Sequence, residues 1–167
     1  MSLDLSKLSG PDAIVALRSY PRRFGTALAP LPDDPDVDEL AHRVGPDGTA
    51  ALDHVVVTSN TMSLLARALE QVSIHDDPTL LPAVLDASQR EWGTPADLTV
   101  NAALADLEAE TDALVEVAER VHGPDWNRAG HVADGPPVDA LGIVREAVRT
   151  GADELRAAEV AIAAARR

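Results

Sequence analysis

Apolar positions recur at steps of three and four in four long stretches, and stretches rich in turn residues separate them. In 11–29, Ile14, Leu17, Phe24 and Leu28 share one stripe, which predicts a helix. Pro21 falls inside it and predicts a kink or a break. Residues 30–38, PLPDDPDVD, carry three prolines and four aspartates and read as a turn cluster. A short helix is expected from Asp38 to Val44.

The second long helix is predicted from Thr49 to Ile74, with Leu52, Val55, Val56, Met62, Leu65, Ala66 and Leu69 in helical register. The run Val55-Val56-Val57-Thr58 is β-branched and would suit a strand, but the pattern is too long for one. Residues 75–93 read as irregular, with a turn or two of helix between Leu80 and Arg90. The third helix is expected to begin at Thr94-Pro95-Ala96-Asp97, which offers a cap, a proline at the first position and an acid in the first turn. It is expected to stop at His122-Gly123-Pro124. Its seam is Val100, Leu104, Leu107, Thr111, Leu114, Ala118 and Val121, with Asp106, Glu108, Glu110, Glu116 and Glu119 mostly on a solvated face. Residues 123–137 read as a polar loop, and 138–164 as a fourth helix. Its seam of Leu141, Val144, Val148, Gly151, Leu155, Ala158 and Ile162 includes a glycine, which implies that something approaches the backbone there. The fold expected is all-α: an antiparallel four-helix bundle forming a single domain over 1–167, with a long, loop-rich connection in its middle.

Composition narrows the chemistry. Apolar residues make up 46% of the chain but aromatics only 2%, so the core is built from Leu, Val, Ile and Ala, with no platform for stacking bases. There is no cysteine, which excludes disulfides, thiolate metal sites and a cysteine nucleophile. The formal net charge of −14 repels phosphate backbones and anionic lipid, so neither nucleic acid nor membrane is an expected partner. No stretch has the length of a transmembrane helix and MSLDLSKLSG has no apolar signal region, so a cytoplasmic location is expected. Lys7 is the only lysine and falls in a terminus expected to fray, which disfavours Schiff-base chemistry. No G-x-S-x-G, P-loop, H-E-x-x-H or G-x-G-x-x-G is present.

Five histidines remain as candidates. His54 sits among valines early in the second helix and could be a ligand, a base or a packed side chain. His42 and His75 fall in or beside polar segments, His122 falls in the last turn of the third helix, where a cation suits the helix dipole, and all three are expected to be solvated. His131 lies in the loop leading to the fourth helix and is also expected at the surface. In that loop Trp126 is expected to pack the chain down and Arg128 to pair with an acid. Ser59, Thr61 and Ser63 read as small packing residues.

The segments LRSYPRRF, GPDGTAALDHVV and DWNRAGHVADGPPVDALGIVREAV resemble the DinB-like family. That superfamily includes mycothiol-dependent maleylpyruvate isomerase N-terminal domains and bacillithiol-transferase-like proteins. The resemblance covers nearly the whole chain and implies a four-helix bundle, often dimeric. It also implies one divalent metal, nickel or zinc, held by a histidine early in helix two and a pair four residues apart on helix four.

His54 falls on the first of these positions. Helix four has no histidine. The pair falls on Arg149 and Asp153 in one register, or on Thr150 and Glu154 in the other. A guanidinium cannot ligate, and a threonine hydroxyl is a poor ligand for such ions. What survives is His54 with Asp153 or Glu154, and two protein ligands are fewer than a catalytic zinc takes.

Three readings stay open. The metal site is lost, and the helix-four charges are surface pairs such as Glu146 with Arg149 or Arg149 with Asp153. Alternatively a modified site is completed by His131 or Glu146. In the third reading the pocket works without metal, with His54 as base or contact for a small ligand and Glu154 orienting it. If the chemistry is thiol-dependent, the low-molecular-weight thiol comes from outside the chain, since no cysteine is present. The resemblance also predicts a homodimer. Size-exclusion chromatography with light scattering at micromolar concentration should give twice the 17.6 kDa chain mass, and a clean monomer would rule the dimer out.

Overall fold

A computed structural model describes residues 4–133 and 135–167, so Asp134 of the expected polar loop and the first three residues lie outside the described part. The helices are α1 (Gly10–Ala27), α2 (Val37–His42), α3 (Ala51–Ile74), α4 (Val100–Glu119) and α5 (Ala140–Ala165). A small sheet is formed by β1 (Thr79–Leu80), β2 (Ala129–Val132) and β3 (Pro137–Asp139), with β1 parallel and β3 antiparallel to β2. The four long helices make the expected four-helix bundle, although two neighbouring pairs, α1 with α5 and α3 with α4, run parallel where an antiparallel arrangement was expected. None of the described helices is long and apolar enough to cross a membrane.

The long helices form a ring in the order α1, α4, α3, α5. Side-chain links give their directions. Leu8 meets Arg145 and Ala29 meets Arg166, so α1 and α5 run parallel. Arg18 meets Glu119 while Gly25 lies against Leu104, so α1 and α4 are antiparallel. Gly45 touches Ala161, His54 meets Glu154, and Val72 accepts from Arg128, so α3 and α5 are antiparallel too. α3 and α4 therefore run the same way. A parallel pair cannot be closed by a tight turn; the chain must travel back along the bundle first. That is the physical reason for the 25 residues between α3 and α4, which contain β1 and two turns of 3-10 helix at Pro82–Val84 and Ala87–Gln89.

Several expectations need correction. α4 begins at Val100, not near Thr94. Thr99 caps it, and Asp38 Oδ1 on α2 accepts from the Val100 N–H at 2.6 Å. His42 bonds the Leu98 carbonyl at 2.8 Å, so it is half-buried rather than solvated. The start of α4 is thus set by α2, across a long sequence gap, and not by the local Thr-Pro signal. α4 ends at Glu119, which leaves His122 beyond it and exposed. α1 runs unbroken through Pro21, held by buried Leu17, Tyr20 and Phe24 on one face. The segment around Lys7 does not fray: Leu5 is buried, and Arg145 donates to the Ser6 and Leu8 carbonyls. The loop after α4 contains β2. There Trp126 packs on Gly10, and Arg128 donates to the Val72 carbonyl of α3 and to that of His75, which caps it, and pairs with Asp76.

The core is aliphatic, with Leu52, Leu65, Leu69, Leu107, Leu114, Ile143 and Leu155 fully buried. Gly151 is where α1 and α5 close up. A Cβ there would lie 2.6 Å from the Tyr20 ring, and the Tyr20 hydroxyl donates to the Val148 carbonyl at 2.8 Å. Substituting Gly151→Ala should therefore cost about 1–3 kcal/mol through overpacking, against the gain of a few tenths to one that alanine gives an unhindered helix position. Urea unfolding reads the difference, and a variant as stable as the parent would contradict this packing.

Candidate functional site

The turn GPDGT, ahead of α3, is built for its contents. Gly48 has φ +88°, a left-handed conformation that side-chain-bearing residues rarely adopt. It allows Asp47 and Thr49 to meet: Asp47 Oδ1 accepts from the Thr49 backbone N–H at 3.0 Å and from its hydroxyl at 2.6 Å. One turn into α3, His54 is 7% exposed. Its Nε2 lies 2.9 Å from the Thr49 hydroxyl oxygen and 3.5 Å from Asp47 Oδ2. Its Nδ1 lies 2.7 Å from Glu154 Oε2 on α5.

Counting protons favours the charged form of the ring. The Thr49 hydroxyl has one hydrogen, and the short contact to Asp47 takes it. The hydroxyl oxygen is then an acceptor toward His54, so Nε2 carries a proton. Nδ1 faces a carboxylate and carries one too. The arrangement Asp47–Thr49–His54–Glu154 is that of an imidazolium held between two acids. Burial alone would push the His54 pKa down. The hydrogen bond and charge of Glu154, with the charges of Asp47 and Asp53, outweigh it, and the net shift is upward from 6.5. The Asp47 carboxyl is held below its ordinary range, first by its bonds to Thr49 and further by the His54 charge.

Eight residues back from Glu154, on the same face of α5, Glu146 holds a second buried cation. The Arg90 side chain is 3% exposed. Its Nε donates to the Ala83 carbonyl at 2.7 Å, and its Nη2 donates to Val84 at 2.9 Å and to Glu146 Oε1 at 3.0 Å. Nη1 donates to the Thr150 hydroxyl at 3.2 Å. The other oxygen of Glu146 accepts from Arg149 at 3.0 Å. Thr150 lies between the two glutamates at helical spacing, so Glu146, Thr150 and Glu154 form one polar face. A cavity of about 170 Å³ opens beside it, lined by Val57, Ala87, Arg90, Arg149, Thr150 and both glutamates, with exposed Asp153 at its rim.

Of the sequence candidates, His54 and Glu154 are brought into contact, in the register that pairs Glu154 with Thr150. Asp153 is exposed and has no hydrogen bond among the described residues. Arg149 bonds Glu146 rather than Asp153. His131 is remote: it pairs with Asp77 at 2.9 Å on β2, beyond the far end of α3, about 30 Å away at 1.5 Å per residue. It cannot complete a site at His54. Among the described residues no group of three His, Cys, Asp or Glu side chains is placed to share a metal ion. Ser59 and Thr61 are buried on α3. Sequence reading missed Asp47, Thr49 and Arg90. The Asp-Gly-Thr turn directly before a helix was a usable signal for the first two; nothing local marks Arg90.

No protein-family model matches the chain, and no curated protein matches it. Among solved structures it is similar to YfiT from Bacillus subtilis, described as a probable metal-dependent hydrolase with an unusual four-helix bundle topology. The TM-score is 0.73 at 12% identity, over 96% of this chain and 88% of that one. At that identity the likeness establishes the fold: this chain is a four-helix bundle of the YfiT kind.

The His54 geometry has a pH signature. Its folded pKa lies above the unfolded value, so its contribution is complete below about pH 6.5 and is lost as pH rises through the folded pKa. Replacing Glu154→Gln should cost about 1–3 kcal/mol at pH 6. The stability gap between parent and variant should narrow as pH rises past the folded pKa. A gap independent of pH in urea unfolding would contradict the imidazolium.

Proposed function

We propose that this chain is a DinB-like bundle that works without a bound metal, as a small-ligand-binding protein whose central charges are supplied by its own side chains. One observation carries this reading: both ring nitrogens of His54 are already engaged, Nε2 with the Thr49 hydroxyl and Nδ1 with Glu154. A metal ligand must present a lone pair, and an imidazolium has none. The family's remaining position falls on Thr150, whose hydroxyl accepts from the buried Arg90 guanidinium. A divalent ion here would have to expel the His54 proton and settle near a fixed positive group. Two like unit charges about 4 Å apart repel by about 4 kcal/mol at an effective dielectric constant near 20, and a dication doubles that. The donor set therefore does not fit nickel or zinc.

The likeness to YfiT favours a second reading, since that protein is described as a probable metal-dependent hydrolase. On it, the chain would be a metal-assisted, low-molecular-weight-thiol-dependent transferase or isomerase using His54 and Glu154. Elemental analysis of tag-free protein, followed by Ni²⁺ and Zn²⁺ titration of the parent and of His54→Ala, separates the two. The metal-free reading predicts substoichiometric metal and equally weak titrations for both proteins. Near-stoichiometric metal that is lost in the variant would overturn it in favour of the second.

A further inference from the structure

The cavity beside α5 has donors left over. A guanidinium has five N–H groups. Arg90 commits Nε to Ala83, Nη2 to Val84 and Glu146, and one hydrogen of Nη1 to Thr150. The second Nη1 hydrogen has no partner among the described residues. Thr150 accepts from Arg90 with its oxygen, and its own hydroxyl hydrogen likewise has no partner among them. Both side chains are nine-tenths buried and both line the cavity. Arg149 lines it as well, with one of its nitrogens bonded to Glu146. Donors that are withdrawn from bulk water and left unmatched are costly, so the cavity calls for an acceptor.

The charges in the wall say which acceptor. Glu146 is spent between Arg90 and Arg149, and Glu154 is spent on His54. Glu146 and Glu154 are thus turned onto partners, which leaves the two guanidinium groups and the Thr150 hydroxyl as the donors in the wall. An incoming single negative charge meets two guanidinium groups first. Asp153, exposed and without a partner among the described residues, opposes a second negative charge. The volume of about 170 Å³ limits the guest to a few heavy atoms.

We propose that this cavity binds a small monocarboxylate, its oxygens accepting from Arg90 Nη1, the Thr150 hydroxyl and Arg149. The inference rests on the metal-free reading above, because a metal beside His54 would change the charges of the wall.

The test uses chelator-treated, tag-free protein. Sodium chloride is exchanged for sodium acetate at constant ionic strength, and backbone and arginine side-chain signals are followed by NMR. Saturable shifts centred on Arg90 and Thr150 are expected, with a dissociation constant on the order of millimolar, as suits a four-atom guest. Thr150→Val keeps the shape and removes the hydroxyl; it should weaken acetate about five- to tenfold, the worth of one hydrogen bond. Arg149→Ala removes the second cation, together with its bond to Glu146, and should also weaken binding. Sulfate should bind less well than acetate. Absence of saturable shifts, or identical binding by Thr150→Val, would overturn the proposal and leave the cavity to water. A zinc titration of the same sample keeps the two failures apart. Protein that takes neither zinc nor acetate sinks only this inference, whereas stoichiometric zinc sinks the reading beneath it.

Discussion

Two cations are withdrawn from water against one face of α5, and each is met there by its own glutamate. Burying an unpaired charge costs several kcal/mol even after relaxation. The His54 imidazolium therefore has to find Glu154, and the Arg90 guanidinium has to find Glu146. These pairings join segments far apart in sequence. His54 locks α3 against α5. Arg90 locks the returning connection against α5, and through its bonds to Ala83 and Val84 it also shapes the turns of that connection. Asp47 and Thr49 extend the first network into the turn that starts α3.

The topology makes the second lock necessary. α3 and α4 are neighbours running in the same direction, so a long segment must climb back along the bundle with little secondary structure of its own. Its side chains have to fasten it. Arg90 does so with four hydrogen-bond partners from inside the protein, in reach of the same polar face that receives His54. The aliphatic seams supply the bulk of the stabilisation. Buried ion pairs add little net stability over apolar packing, but once present they penalise any arrangement that separates them. The polar face of α5 thus restricts which residues can meet, and leaves a small cavity with donors in its wall.

The helices were legible because burial on a bundle imposes a three-and-four pattern that survives in Leu, Val and Ala. The β-branched run Val55 to Val57 fits that pattern as helix, and Gly151 on the α5 seam correctly announced a close approach, by Tyr20. What escaped the sequence was decided by distant partners. The Thr94-Pro95 signal is sound locally, yet α4 waits until Val100 because Asp38 and His42 of α2 hold that point. The small sheet pairs β1 with β2 across some fifty residues, so no local pattern reveals it. At the site, His54 and Glu154 stood out by type and spacing, but which of Asp153 and Glu154 faces His54 depends on helix register. Arg90 had no local mark at all: a single arginine in a polar connector looks solvated until α5 is placed beside it.

The whole polar face depends on the protonation of one ring. The most direct measurement is the ¹⁵N NMR spectrum of the imidazole nitrogens of His54, in ¹⁵N-labelled protein, as pH is raised past 6.5, the ordinary value of the ring. Both nitrogens are predicted at imidazolium positions, each coupled to its own slowly exchanging proton. A neutral ring, with one protonated nitrogen and one bare lone pair, would contradict the account and restore His54 as a competent metal ligand.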